Sequence, residues 1–543
     1  MTTTLEHRGA VLDSEHVGDI RGALGTIRLD DASPRRGRSA HLKTLLAIIG
    51  PGLIVMVGDN DAGAFATYGQ AGQDYGTRLL WTLLLLVPVL YVNQEMVLRL
   101  GAVTGVGHAR LILERFGKFW GAFSVIDLFI LNALTIITEF IGITLAAGYL
   151  GLPRIAAVAL AAAVVVGAAF TGSFRRFERI AVAFCAGSLL LIPLYFLSHP
   201  HVTQMAHDFV IPQLPGGAGQ LSTVMLLVIG IVGTTVAPWQ LFFQQSYVID
   251  KRITPRFIRY ERADLWIGIA IVVLGGAALM GATAAAFAGT HAFGHFTDAA
   301  GLAQGLQADA GRTAGVLFAI ALLDASIIGA FAVSLSTAYA ISDVFGLKHS
   351  LHRGVKGAKG FYAVYAGLIG ISATIVLIPG SPLGLLTEGV QVLAGVLLPS
   401  AAVFLLLLCN DKDVLGPWVS DRKTNMFTAA VVAILVSLSV ILTASVLFPA
   451  ITAGQMLDIV AACGAASVLA AGYAVARRLR AGTLATAPAD RTARDSWRMP
   501  PLALLQRPAM SAGRKIGMSA LRLYLGVAMV LVIVKIVQLA LGH

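Results

Sequence analysis

Charge is what this sequence lacks most. Only 13% of its residues are Asp, Glu, Lys or Arg, about half the ~25% of an ordinary soluble domain. So few charges cannot keep a globular surface wetted, which excludes a soluble enzyme or binding domain. Cysteine is scarce too. Cys185, Cys409 and Cys463 lie inside apolar runs, with no CxxC spacing and no Cys/His cluster, so neither a disulfide framework nor a zinc site is indicated. The short alternating runs of a barrel strand are missing. No cleavable leader is expected, because the first 40 residues are polar and the first apolar run is a full span. No nucleophile–base constellation or catalytic metal motif points to an enzyme, and no cofactor is implied.

What is present is hydrophobic length. The chain is 57% hydrophobic, with a mean hydropathy of +0.79, and its apolar runs of about 18 to 25 residues suit helices crossing a ~30 Å hydrocarbon core. Spans are expected near 45–73, 79–98, 119–150, 155–173, 180–198, 219–249, 264–289, 313–343, 360–378, 383–409, 427–448 and 455–476. A further run, 520–541, contains Lys535 and reads as a last span or as an interfacial helix. With the N-terminal tail placed in the cytoplasm, 35 of the 40 Lys and Arg fall in inside segments, and only Arg78, Arg154 and Arg312 fall outside. This asymmetry is the positive-inside pattern. The net charge of +11 is therefore topological, and nucleic acid is not a partner.

Two spans are interrupted. The first contains "VMVGDNDAGAFA", which puts Asp59, Asn60 and Asp61 between Gly58 and Gly63 at membrane depth. A central Asp costs roughly 2.5 to 3.5 kcal/mol to insert, so the pair is expected to serve a site. The sixth contains "GTTVAPWQLFFQQS", where Pro238 removes an N–H and should unwind the preceding turn. Two broken helices, five spans apart and opposite in direction, are the pattern of an inverted-repeat transporter. Their unwound backbones would meet near the midplane, where carbonyls and carboxylates hold a cation. The organisation expected is a basic disordered cytoplasmic tail (1–42), a first five-helix repeat (43–200), an inverted second repeat (216–410), additional spans (426–478), a basic cytoplasmic linker (479–518) and a C-terminal span (519–543).

The segments "GPGLIVMVGDNDAGAFAT", "RLLW", "RLGAVTG" and "GTTVAPWQLFFQQS" resemble the NRAMP family of divalent-metal transporters, over roughly residues 45–445. The resemblance implies an all-α polytopic membrane protein of LeuT-type fold, two inverted five-helix repeats plus extra C-terminal helices, with about 12 to 13 spans. The family's first-helix motif, Asp-Pro-Gly-Asn, falls on Asp61, Ala62, Gly63 and Ala64. Its sixth-helix motif, Met-Pro-His-Asn, falls on Ala237, Pro238, Trp239 and Gln240. The third-helix acid pair that serves proton transfer falls on Glu139 and Gly142, and the tenth-helix glutamine on Gln391. Losing the ligating Met looks like the divergent branch of NRAMP-related magnesium transporters.

The departures carry their own chemistry. A thioether favours soft ions, and Ala237 removes it. Mg²⁺ takes oxygen ligands and keeps several waters, so Asp61, with the Thr234 carbonyl and the Gln391 amide oxygen, suits a largely hydrated Mg²⁺, with Mn²⁺ as a further substrate. Trp239 cannot accept a proton as His can, and Gly142 cannot relay one, so import without proton coupling is expected. The alternative is a proton-coupled Mn²⁺/Fe²⁺ symporter. A Na⁺-coupled organic-solute symporter on the same fold is disfavoured by the paired Asp residues. Asp59 and Asn60 either hold water around the ion or line the outer vestibule, a zone shared with Ala64, Trp239, Gln240 and Glu388. Glu139 is a remnant of a proton path or a structural acid. Gly58, Gly63 and Pro238 are the helix breakers. Glu95 has Arg99 four residues on, an intrahelical ion-pair spacing. Asp127 and Asn132 are expected to satisfy neighbouring helices, Asp324 to be an ion or gate candidate, and His199, His201 and His207 to lie in a solvated outside loop. The partners expected are a divalent ion and the bilayer. No feature fixes an oligomeric state, and a monomer suffices. The Arg- and Ala-rich tails suggest a bacterial inner membrane.

Overall fold

Apolar run length becomes helix length in the computed structural model, which describes residues 14–31, 33–215, 221–378, 383–448, 451–480, 494–505, 508 and scattered positions between 515 and 534. Among the described residues, ten helices are long and apolar enough to cross a membrane, and Arg154–Ala169 is a shorter apolar one. We number the crossings in chain order. The first is split into α1a (Pro51–Val57) and α1b (Ala62–Tyr75). It is followed by α2 (Trp81–Thr104), α3 (Lys118–Tyr149), α4 (Arg154–Ala169) and α5 (Phe174–Leu197). The sixth is split into α6a (Leu221–Thr235) and α6b (Pro238–Asp250). Then come α7 (Ile258–Phe287), α8 (Arg312–Phe345), α9 (Lys359–Val376), α10 (Leu383–Cys409), α11 (Arg422–Leu447) and α12 (Ala453–Arg480). Twelve of the thirteen expected spans thus have a helix. Most of 519–543 lies outside the described residues; within it, the Tyr524 hydroxyl donates to the Ser439 carbonyl at 2.5 Å.

The two broken crossings lie at the centre. α7 packs along both α1a and α1b, α6b packs on α2 and α8, α6a packs on α10, and α3 packs against α8. The α6 window is 94% buried inside the protein, whereas that of α12 is 6% buried. α12 therefore faces outward, whereas α11 still adds Val431, Val432 and Leu435 to the core.

The N-terminal segment differs from its expected disorder. Residues 1–13 and 32 lie outside the described residues, but Ile20–Arg21 pairs antiparallel with Thr26–Ile27, and Gly37–Ile48 is a helix bent 55° from α1a. The composition is basic, yet Ile20, Ala23 and Ile27 are buried. The Ala23 N–H donates to Glu178 Oε2 at 2.6 Å. Local apolar burial and one buried acceptor hold what charge alone would leave loose. The linker is described mainly over 494–505, where the Trp418 indole donates to the Arg494 carbonyl at 2.8 Å. The histidine loop is partly helical, at Val202–Val210.

Candidate metal site at the two helix breaks

The first break is built by diverted hydrogen bonds. The helical ladder of α1a ends with Gly58 N–H on the Ile54 carbonyl at 2.8 Å. Asp61 then caps α1b, its Oδ1 accepting the Ala64 N–H at 2.9 Å. The Ala62 N–H, which in a continuous helix would reach the Gly58 carbonyl, goes across to Glu139 Oε2 on α3 at 3.2 Å. The carbonyls of Gly58 and Asn60 thereby lose their usual donors. Gly63 is not part of the break, contrary to its sequence reading: it is the second residue of α1b. Its lack of a side chain serves packing, because a Cβ there would overlap the Gln391 amide of α10 and stand 3.1 Å from Asp61 Oδ1.

The second break follows from proline. Pro238 opens α6b, with extended Ala237 as its cap residue. Having no N–H, it leaves the Thr234 carbonyl without the donor four residues on. Thr235 Oγ1 donates to the Ile231 carbonyl at 2.5 Å and receives the Tyr68 hydroxyl of α1b at 2.7 Å, which ties the two broken helices together. Gln240 Nε2 donates to the Thr235 carbonyl at 3.3 Å, and Gln94 of α2 donates to Gln240 Oε1 at 2.8 Å. The Trp239 carbonyl accepts the Ser336 hydroxyl at 2.8 Å.

Between the breaks lies a closed polar centre. Asp59, Glu139, Trp239 and Gln240 are fully buried, and Asn60, Asp61, Thr234, Ala237 and Gln391 are 5% exposed or less. Among the described residues, both Asp59 oxygens, Asn60 Oδ1, Glu139 Oε1, Thr234 Oγ1 and Gln391 Nε2 have no hydrogen-bond partner. Buried polar atoms are rarely left so. Asp59, Asp61 and Glu139 also act on one another electrostatically. Most of these unpartnered atoms are oxygens, the donors that a hard cation takes. Apart from amide nitrogens and the Trp239 indole, the donor atoms here are oxygen. Met56, the thioether nearest in sequence to the first break, is turned to Gly268 of α7.

Gly142 is packed so closely that a Cβ would overlap the Ser326 hydroxyl and stand 2.6 Å from Ala62 Cβ. A second α3 acid has no room there.

Other sequence candidates fall elsewhere. Glu388 lies near Asp74 and one turn from Gln391. Asp324 packs on Gly187 of α5, Asn132 donates to Thr337 at 2.8 Å, and Asp127 lies near Arg522. Glu95 pairs with Arg99 at 3.2 Å as its spacing suggested, and also with Arg262 at 2.5 Å. Ala64 contributes a backbone N–H only. Three members of the polar centre escaped sequence reasoning: Tyr68, Thr235 and Gln94. The signal for Gln94 was there, because "VNQEM" sets adjacent amides within an apolar span.

Residues 52–445 match the family described as "Natural resistance-associated macrophage protein-like". A divalent metal cation transporter MntH of Burkholderia ambifaria is 27% identical over 426 residues, covering 74% of this chain and 90% of that protein. One of Ralstonia nicotianae is 30% identical over 406 residues, covering 70% and 87%. A crystal structure of the Eremococcus coleocola manganese transporter, in complex with an aromatic bis-isothiourea substituted compound, superposes with a TM-score of 0.62. Its identity is 20%, and the match covers 81% of this chain and 96% of that one. That likeness shows the fold, which is the LeuT-type arrangement expected from the two interrupted spans.

Proposed function

The chain belongs to the natural resistance-associated macrophage protein-like family and moves divalent metal cations across a membrane, and we propose that it imports Mg²⁺, with Mn²⁺ as a second substrate, without obligatory proton coupling. The observation that carries this reading is the donor set between the breaks. Asp61 anchors the ion, the freed Thr234 carbonyl and the Gln391 amide oxygen join it directly or through water, and Asp59 and Asn60 hold water around it. Ala237 supplies no sulfur, so nothing there selects soft ions. Mg²⁺ keeps part of its water shell in such a site. The ion crosses by alternating access, in which the repeats 43–200 and 216–410 move about it. Membrane potential adds roughly 2.3 kcal/mol per charge per 100 mV to inward movement. The setting of this reading is a bacterial cell membrane with the N-terminus in the cytoplasm, the side that collects most Lys and Arg.

The test is uptake into proteoliposomes, with Mg²⁺ and Mn²⁺ in parallel and internal pH recorded, against D61A. Mg²⁺ uptake without acidification, abolished by D61A, is the expected result. A second reading is favoured by one contact: Glu139 stands on the Ala62 N–H beside Asp61, where a proton carrier would act in a Mn²⁺/Fe²⁺ symporter. Mn²⁺ uptake alone, with acidification, would establish that reading instead.

A further inference from the structure

A cleft of about 300 Å³ opens on the face that carries the N-terminal segment, lined by Arg35, Arg256, Arg259, Arg262 and Arg494 around Trp418. Some of these guanidiniums have carboxylate partners. Arg35 pairs with Asp31 at 2.8 Å, Arg262 pairs with Glu95, which is shared with Arg99, and Asp495 stands at the rim. Arg256 donates to the carbonyls of Asp31 and Ser33 at 2.5 and 2.6 Å, and Arg259 donates to His41 and to the Tyr260 hydroxyl at 3.0 and 2.9 Å. None of these partners is a carboxylate, so both charges stay available to an anion. Arg494 stacks 3.9 Å over Trp418, which holds a guanidinium plane at the cleft wall.

The surroundings indicate the source of the anion. From Arg262 the outer face of α7 continues through Trp266 and Leu274, at steps of four and eight residues, and these are 47% and 69% exposed. A guanidinium, a tryptophan and a leucine on one helical stripe follow the order of headgroup, interface and acyl region. We propose that this cleft binds an anionic phospholipid, its phosphate among Arg256, Arg259 and Arg262 and its chains along α7. A free phosphate monoester shares the headgroup chemistry but makes no use of the apolar stripe.

The experiment titrates the purified full-length chain in detergent with dioctanoyl phosphatidylglycerol, dioctanoyl phosphatidylcholine or glycerol 3-phosphate and reads Tm. Phosphatidylglycerol should raise Tm saturably and the other two should not. R259Q should weaken half-saturation about fivefold and R256Q/R259Q by about the square of that, at roughly 1 kcal/mol per arginine. R176Q, an exposed arginine at the start of α5, should leave it unchanged. An equal response to glycerol 3-phosphate makes the ligand a soluble phosphate and overturns the lipid assignment. An equal response to phosphatidylcholine overturns charge recognition. Unchanged half-saturation in R259Q, at an exposed residue, removes the cleft as the site.

Discussion

Glu139 accepts the backbone N–H of Ala62 at 3.2 Å, one residue past the carboxylate that caps the same half-helix. The acid thus closes the break by satisfying a donor that the interrupted ladder abandons. E139A should orphan that N–H and cost about 1 to 3 kcal/mol, read as a lower Tm. E139Q keeps a carbonyl oxygen for the same donor, so it should retain most of the stability and of the Mg²⁺ uptake. Loss of uptake in E139Q at full stability would mean that Glu139 handles a proton, as the symporter reading requires.

Gly63 gives the Gln391 amide its place beside Asp61. In G63A the new methyl should displace that amide, destabilise the chain by roughly 1 to 3 kcal/mol and raise the KM for Mg²⁺ strongly. Q391A added to G63A removes the overlap. Stability should then return while uptake stays low, because the amide is gone. Recovery of uptake along with stability would show that Gln391 is not needed at the ion.

The helices were legible from apolar run length, and the two breaks from "GDNDAG" and "GTTVAP", because cost in hydrocarbon marks them within a short window. What each residue does in a break was not. Gly63 read as a breaker because glycine often is one; the contact that requires glycine comes from α10, more than 300 positions away. Gln94 and Tyr68 join the centre through Gln240 and Thr235, pairings that no local pattern contains. The N-terminal segment was misread for the same reason. Its order depends on Glu178 and Lys251, which the tail's own composition does not reveal.

Ala237 stands, buried, at the mouth of α6b. A237M should place a thioether at the break and turn preference toward soft ions. Calorimetric titration with Cd²⁺ should show affinity rising about tenfold, while Mg²⁺ uptake falls as the longer side chain displaces water. Unchanged Cd²⁺ affinity with intact folding would place the ion away from Ala237.

Lys251 binds Glu178 at 2.7 Å with both side chains fully buried, and its ammonium also reaches the carbonyls of Ile48 and Ile49. Glu178 in turn holds the Ala23 N–H. K251M leaves a buried carboxylate unpaired, which costs about 3 to 5 kcal/mol. The N-terminal segment should loosen with it, so limited proteolysis should cut before Gly37 faster than in the unmodified chain. Equal cleavage rates together with a lowered Tm would show that the pair braces α1a without holding the segment.

His349 stands 3.3 Å from Asp343, just beyond the end of α8. Burial pulls its imidazole down, but the hydrogen bond and charge of Asp343 prevail and hold it at about 9, against an ordinary 6.5. A group raised in the folded state adds stability that is fully present below its unfolded pKa and is lost as pH rises through the folded one. The window here runs from about 6.5 to about 9, and at ~1.4 kcal/mol per unit the contribution is on the order of 3 kcal/mol. Tm should therefore fall across this window in the unmodified chain, and H349N, which cannot charge, should flatten that part of the profile. A profile that keeps its slope in H349N assigns the alkaline loss to another group and leaves the His349 imidazole uncharged in that window.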